Sequence, residues 1–144
     1  MKTFDPDVRL LGALADPVRL SIVRQIASQL NAGLPGMCTL HANSANQALD
    51  RIINFFPEER RAQLLMDLSL NLKAIISQRL IPKTDGKGRA PAVEVLISTA
   101  FIRDCIMDKE KTHLIHGAIA QGTSQYGMQT FDQSIFYLFE QGLI

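Results

Sequence analysis

The side chains of this 144-residue chain best suited to chemistry are few: His41, His113 and His116, Cys38 and Cys105, and the basic glycine-rich run Asp85-Gly86-Lys87-Gly88-Arg89. His41 stands in Thr39-Leu40-His41-Ala42-Asn43-Ser44-Ala45, and an imidazole can donate a hydrogen bond or exchange a proton near neutral pH. A single histidine after a strand is otherwise an ordinary satisfied polar residue. His113 and His116 are three residues apart and could share a helix face, but no third ligand of suitable type is nearby, so no zinc site is expected. Phosphoryl transfer needs a glycine loop with its lysine, a hydroxyl on magnesium and an acidic residue on the metal side. Nothing in the chain fits G-x-x-x-x-G-K-[ST]. The run 85–89 joins two predicted strands rather than opening a helix, so it reads as a hairpin turn. The two cysteines are far apart in apolar company, which suits buried thiols in a reducing cytosol better than a disulfide, the alternative. No serine, histidine and acid set stands out.

The elements that must position His41 follow from periodicity. A short apolar strand should end at the histidine, followed by a polar turn in which Asn43 or Ser44 caps a helix. That helix buries Ala45, Ala48, Leu49, Ile52, Ile53 and Phe56 at helical spacing and leaves Asp50, Arg51 and Asn54 outside. Pro57-Glu58-Glu59-Arg60-Arg61 starts a second helix, proline first and acids in the turn where the dipole favours them. Its stripe is Leu64, Leu65, Leu68 and Leu72, widened by Met66 and Leu70. The spacing then predicts strands over 75–81 and 92–97 around the turn at 85–88, with Pro91 at an edge or strand end. Three short helices should close the chain. The first spans about 100–107, is capped by Thr99 or Ser98 and buries Ile102, Cys105 and Ile106; the second spans about 112–120. In the last, Thr130-Phe131-Asp132-Gln133 forms a capping box, Phe131, Ile135, Leu138 and Phe139 line one face, and Gly142 ends it. Upstream, Asp16-Pro17 separates two predicted helices, about 7–15 and 18–30, which Asn31-Ala32-Gly33-Leu34-Pro35-Gly36 terminates.

Length and charge bound the classes of function. A chain of this size can bury roughly 70% of its unfolded surface in one core. Fifteen Lys plus Arg against fourteen Asp plus Glu create no global field for nucleic acid or an anionic membrane. No apolar run reaches the length of a membrane span and the N-terminus has no hydrophobic signal core, so a cytoplasmic location is expected.

Two resemblances overlie this reading. Residues about 8–36, above all Leu11-Gly12-Ala13-Leu14-Ala15-Asp16-Pro17-Val18-Arg19-Leu20, resemble the opening helices of ArsR-type winged-helix repressors. No recognition helix or wing follows, although the recognition helix is what enters the major groove. From 39 to 144 the chain resembles the C-terminal part of the type IV pilus retraction ATPases, the PilT/PilU group of hexameric secretion motors. The residues that carry this are Thr39 to Ala45, similar to the group's histidine box, and Leu49-Asp50-Arg51-Ile52-Ile53-Asn54-Phe55-Phe56-Pro57. Others are Ile76-Ser77-Gln78-Arg79-Leu80-Ile81-Pro82, Asp85 to Arg89, Lys111-Thr112-His113 and Gly127-Met128-Gln129-Thr130-Phe131-Asp132-Gln133.

The resemblance implies a mostly helical α/β fold: a truncated C-terminal part of a RecA-like secretion-ATPase core, with a β-hairpin and a C-terminal helical bundle. It implies two segments, 1–38 of different ancestry and 39–144 from the motor. It places His41 near the terminal phosphate of ATP, as a phosphate-sensing or transition-state group able to donate to phosphoryl oxygen. Phe101-Ile102-Arg103-Asp104 resembles a motif that these motors carry for productive retraction, making Arg103 and Asp104 partner-binding candidates or an ordinary surface pair. ATP and magnesium are the group's cofactors; related motor subunits and the pilus machinery are the implied partners. Lacking the Walker A and Walker B elements, this chain should hold no cofactor and hydrolyse no ATP alone. The other classes are an ArsR-like DNA-binding regulator and an inactive recombined chimera.

Overall fold

The computed structural model describes residues 36–144. The chain divides into two compact units, Met1–His41 and Ala42–Ile144. The helices expected over 7–15 and 18–30, and the ArsR-like stretch, lie outside the described residues. In the first unit the described residues 36–41 have no regular secondary structure and are mostly exposed. The strand expected to end at His41 is therefore not formed among them. A strand holds only when its amides find a ladder, and the one sheet among the described residues is the β1–β2 pair of the second unit.

The second unit opens with α1 (Ala45–Asn54), which buries Ala45, Ala48 and Leu49 of the expected face, while Ile52, Ile53 and Phe56 are only half-buried. Ser44 is its N-cap, its hydroxyl accepting from the Gln47 amide. After Pro57 the chain makes one 3-10 turn, Glu58–Arg60, before α2 (Arg61–Asn71), so the proline-led start is tighter than an α-helix. In α2 Leu65 is buried, but Met66 and Leu70 are 49% and 58% exposed and do not widen the buried stripe. A ten- or eleven-residue helix packed on one side cannot bury more than its facing stripe.

β1 (Ala74–Pro82) and β2 (Arg89–Ile97) form the antiparallel hairpin, with Ser77 opposite Glu94 and Arg79 opposite Ala92. The run 85–89 is its turn, as read from the sequence. The Asp85 carboxylate accepts from the Lys87 amide at 2.8 Å, and Lys83 and Gly88 close the loop. β2 is the better buried strand, alternating Ala90, Ala92, Glu94 and Leu96 inward. Its outer edge is covered by the C-terminal region. The Val95 amide donates to the Gln129 carbonyl and the Val95 carbonyl accepts the Gln129 amide in return, while the Val93 amide donates to the Ser134 hydroxyl. Pro91 falls two positions before Val93 on that edge, where its missing donor leaves no gap in the β1 ladder.

α3 (Ala100–Met107) is capped by Thr99 and buries Ile102, Cys105 and Ile106. The segment expected as one helix over about 112–120 is split: a 3-10 stretch, Lys109–Leu114, precedes α4 (Ile115–Gln121). Asp108 caps that stretch by accepting from the Glu110 amide and pairs with Lys111, which sets the tighter winding. A short α5 (Thr123–Tyr126), not expected from the sequence, follows Gly122. A Cβ at Gly122 would meet the Met128 methyl group, so a larger residue there requires the buried Met128 side chain to shift. α6 (Phe131–Glu140) starts with the predicted capping box, both reciprocal bonds present, and ends before Gly142 at φ 67°. Phe131 and Leu138 are buried, but Phe139 is 66% exposed and belongs to the outer side with Phe136 and Tyr137.

The main core gathers Leu96, Ile102, Cys105, Ile115 and Ile119 under α1 and α2. A second cluster packs Ala90 and Ala92 of β2 against Phe131 and Leu138 of α6. Burial pushes the Cys105 thiol up from its ordinary range; Lys111 opposes this, and Asp104 and Asp108 push it further. Cys38, expected to be buried, is exposed, in a stretch without regular secondary structure.

Two measurements follow from this packing. Thr130→Ala removes the cap of α6 and is expected to lower unfolding free energy by about 1 kcal/mol in urea denaturation. In the folded chain at neutral pH a maleimide should modify Cys38 within the time that leaves Cys105 unlabelled, with both reacting in denaturant, as mass spectrometry of the peptides will read.

Candidate functional site

His41 is exposed and lies at the last position of the first unit. The chain past it, Asn43 to Ala45, belongs to the second unit and is held by side chains from outside the turn. Locally the turn is a helix start: the Ser44 hydroxyl takes the Gln47 amide, the Gln47 side chain takes the Asn43 amide at 2.6 Å, and the Ser44 carbonyl takes the Ala48 amide. This differs from a capping box in that the Gln47 side chain takes the amide of Asn43, one residue before the N-cap, rather than that of Ser44.

Two charged side chains from the hairpin reach the same turn. The Arg79 guanidinium donates from Nη2 and Nε to the Asn43 carbonyl, at 2.9 and 3.2 Å. The Glu94 carboxylate accepts the Ala45 amide at 2.7 Å, and Glu94 is only 4% exposed. Each charge meets a backbone dipole of the sign that suits it: cation on carbonyl, anion on the N–H groups of a helix start. Arg79 is braced from its other side by Phe131, its guanidinium carbon 4.2 Å from the ring centroid.

The sequence reasoning assigned neither Arg79 nor Glu94 a role. A signal was present. Glu94 is the single charge in the otherwise apolar Ala92-Val93-Glu94-Val95-Leu96-Ile97, and Arg79 is the single charge in Ile75–Ile81. A charge on the inward face of a strand requires a partner.

A pocket of about 60 Å³ opens beside this turn, lined by Ser44, Asn46, Glu94, His116 and Ile119. Ligand pockets run from roughly 300 Å³ upward, so it admits solvent and not a nucleotide. His116 borders it, whereas His113 sits in the 3-10 stretch, and both are exposed. Among the described residues no group of three histidine, cysteine or acidic side chains could hold a metal ion. Arg103 and Asp104 are exposed on α3, on the side that also carries the half-exposed Phe101 and Met107. The structure thus brings Glu94 and His116 together at one pocket and leaves Arg103 and Asp104 on a separate helix surface.

Comparison with known proteins now bears on these features. Residues 3–130 match the family of Type II/IV secretion system proteins. The chain is 53% identical over 139 residues to the type IV pilus ATPase PilU of Pseudomonas aeruginosa, covering 96% of this chain and 35% of that protein. It is 38% identical over 140 residues to the type IV pilus retraction ATPase PilT of the same organism, covering 97% of this chain and 39% of PilT. The chain thus spans little more than a third of the length of these curated relatives. Among solved structures, the pilus retraction motor PilT with bound ADP superposes with a TM-score of 0.59 at 37% identity, over 74% of this chain and 28% of that one. The ATPase DotB of Yersinia pseudotuberculosis superposes with a TM-score of 0.67 at 25% identity, over 87% of this chain and 31% of DotB. The mostly helical unit with its single hairpin is the architecture of the corresponding parts of these ATPases. With the family match running over most of its length, this chain belongs to the Type II/IV secretion system protein family.

Proposed function

We propose that the chain serves as the C-terminal portion of a type IV pilus retraction motor, acting together with related ATPase subunits rather than alone. The observation that carries this reading is the 53% identity to PilU across 96% of the chain. The likeness to PilT, solved with ADP bound, supports a nucleotide-handling context for the assembled motor.

In this reading His41 senses the terminal phosphate. Its imidazole donates a hydrogen bond to phosphoryl oxygen as charge builds there, and it contributes only when other parts of a motor hold the nucleotide. The 144-residue chain by itself does not supply that hold. Its one basic glycine-rich run closes the β1–β2 hairpin, with the Asp85 carboxylate occupying the Lys87 amide. A phosphate loop instead presents successive free amides to its ligand. Among the described residues no phosphate cradle or metal-binding group is present, so no hydrolytic step is assigned to this chain alone. Arg103 and Asp104, exposed with Phe101 on α3, form the partner-binding surface. A charged pair beside a half-exposed aromatic suits protein contact, since exposed ion pairs contribute little to a monomer's own stability. No helix among the described residues is long and apolar enough to cross a membrane.

Titration of the purified chain with magnesium and a nonhydrolysable ATP analogue in a calorimeter should give no binding heat; micromolar binding would overturn the absence of a phosphate cradle. Mixed with P. aeruginosa PilU, the chain should co-elute with the larger protein in size-exclusion chromatography. Arg103→Ala with Asp104→Ala should reduce co-elution without changing the far-ultraviolet spectrum, and full retention by that double variant would remove the α3 surface from the proposal.

A further inference from the structure

We propose that Arg79 and Glu94 are positioning residues of the histidine box, a pair of hairpin side chains that lock the turn Asn43–Ala45 through which the chain leaves His41. The consequence for function rests on the reading of His41 as a phosphate-sensing group; the lock itself does not.

The register of the hairpin makes the pair possible. Arg79 lies opposite Ala92 and Glu94 opposite Ser77, so the two charges are diagonal neighbours on one face of the sheet. From there they take the turn on both sides of Ser44. Arg79 holds the carbonyl before it and Glu94 holds the amide after it. A carbonyl and an amide gripped on opposite sides of one residue leave the intervening backbone dihedrals little freedom.

Helix stability alone does not account for the arrangement. α1 already has a serine N-cap and a glutamine closing the turn, both local and supplied within residues 43–47. Glu94 arrives from 49 residues away and Arg79 from 36, and Glu94 is held almost wholly out of water. Desolvating a carboxylate is expensive, and it is tolerated where the bond formed is charge-assisted and specific. Here that bond ends on the amide of Ala45, which is 1% exposed and for which Glu94 is the acceptor. Arg79 is also restrained before it acts. Its guanidinium stacks on Phe131, which is buried against Ala90 and Ala92 at the start of α6. The turn is therefore tied through Arg79 to α6 and through Glu94 to β2, and its geometry is set by the hairpin.

The test uses nuclear magnetic resonance on the full 144-residue chain without nucleotide. In Glu94→Ala the Ala45 amide should exchange with solvent about tenfold faster or more, while the amides of Ile106 and Ile119 keep their protection. Glu94→Gln retains an acceptor oxygen and the shape of the side chain, and should recover most of the protection at Ala45. In Arg79→Ala the amides of His41 and Asn43 should show lower order parameters, partly restored in Arg79→Lys. Unchanged exchange at Ala45 in Glu94→Ala, or unchanged order at His41 in both alanine variants, overturns the proposal. So does acceleration spread equally over the core, because the two residues would then hold the fold and not the turn. His41→Ala should leave Ala45 protected, so that a failed phosphate-sensing role and a failed lock give different results.

Discussion

Strand β2 is the constraint on which the second unit is built. Every second residue from Ala90 to Leu96 is buried, and the three apolar ones are divided between two cores. Leu96 enters the cluster of α3 and α4, while Ala90 and Ala92 are small enough to let Phe131 of α6 approach the sheet closely. The outer edge of the same strand is closed by Gln129 and Ser134, so the amides on both sides of β2 are spent. A strand satisfied on one edge by its hairpin partner and on the other by loop and helix has no register freedom, because a slip of one residue would expose every buried position.

That rigidity lets one inward position be polar. Glu94 occupies a site in the alternation where the neighbours at the same face are alanine and leucine. Its carboxylate is retained because the start of α1 lies within reach and offers an amide at the positive end of a helix. Arg79 works on different terms. It is an exposed side chain whose geometry comes from stacking on Phe131, and a stacked guanidinium loses less freedom on forming its two bonds to Asn43. The two contacts differ in dielectric environment and agree in target.

The outer surface is less closed than the core. Phe136, Tyr137 and Phe139 of α6 are each about 60% exposed, as are Ile76 of β1 and Leu70 of α2 to similar degrees. Isolated exposed apolar groups are ordinary on a folded surface, and these five lie outside both buried clusters.

The sequence by itself determined the elements whose signals are local. Ser44 before α1, the glycines at 86 and 88, Thr99 before α3 and the Thr130–Gln133 box each act within a few residues, and the structure forms all four. The motifs from Thr39 onward also carried the family. Decided only in three dimensions were the features that depend on distant neighbours. Whether residues 37–41 make a strand depends on a partner strand, which periodicity does not supply. Whether Met66, Leu70 and Phe139 are covered depends on what stands across from each helix, and both sides of an apolar stripe look alike in one dimension. The grip of Arg79 and Glu94 on the turn after His41 joins residues 36 and 49 positions apart, and only the hairpin register brings their charges to one carbonyl and one amide.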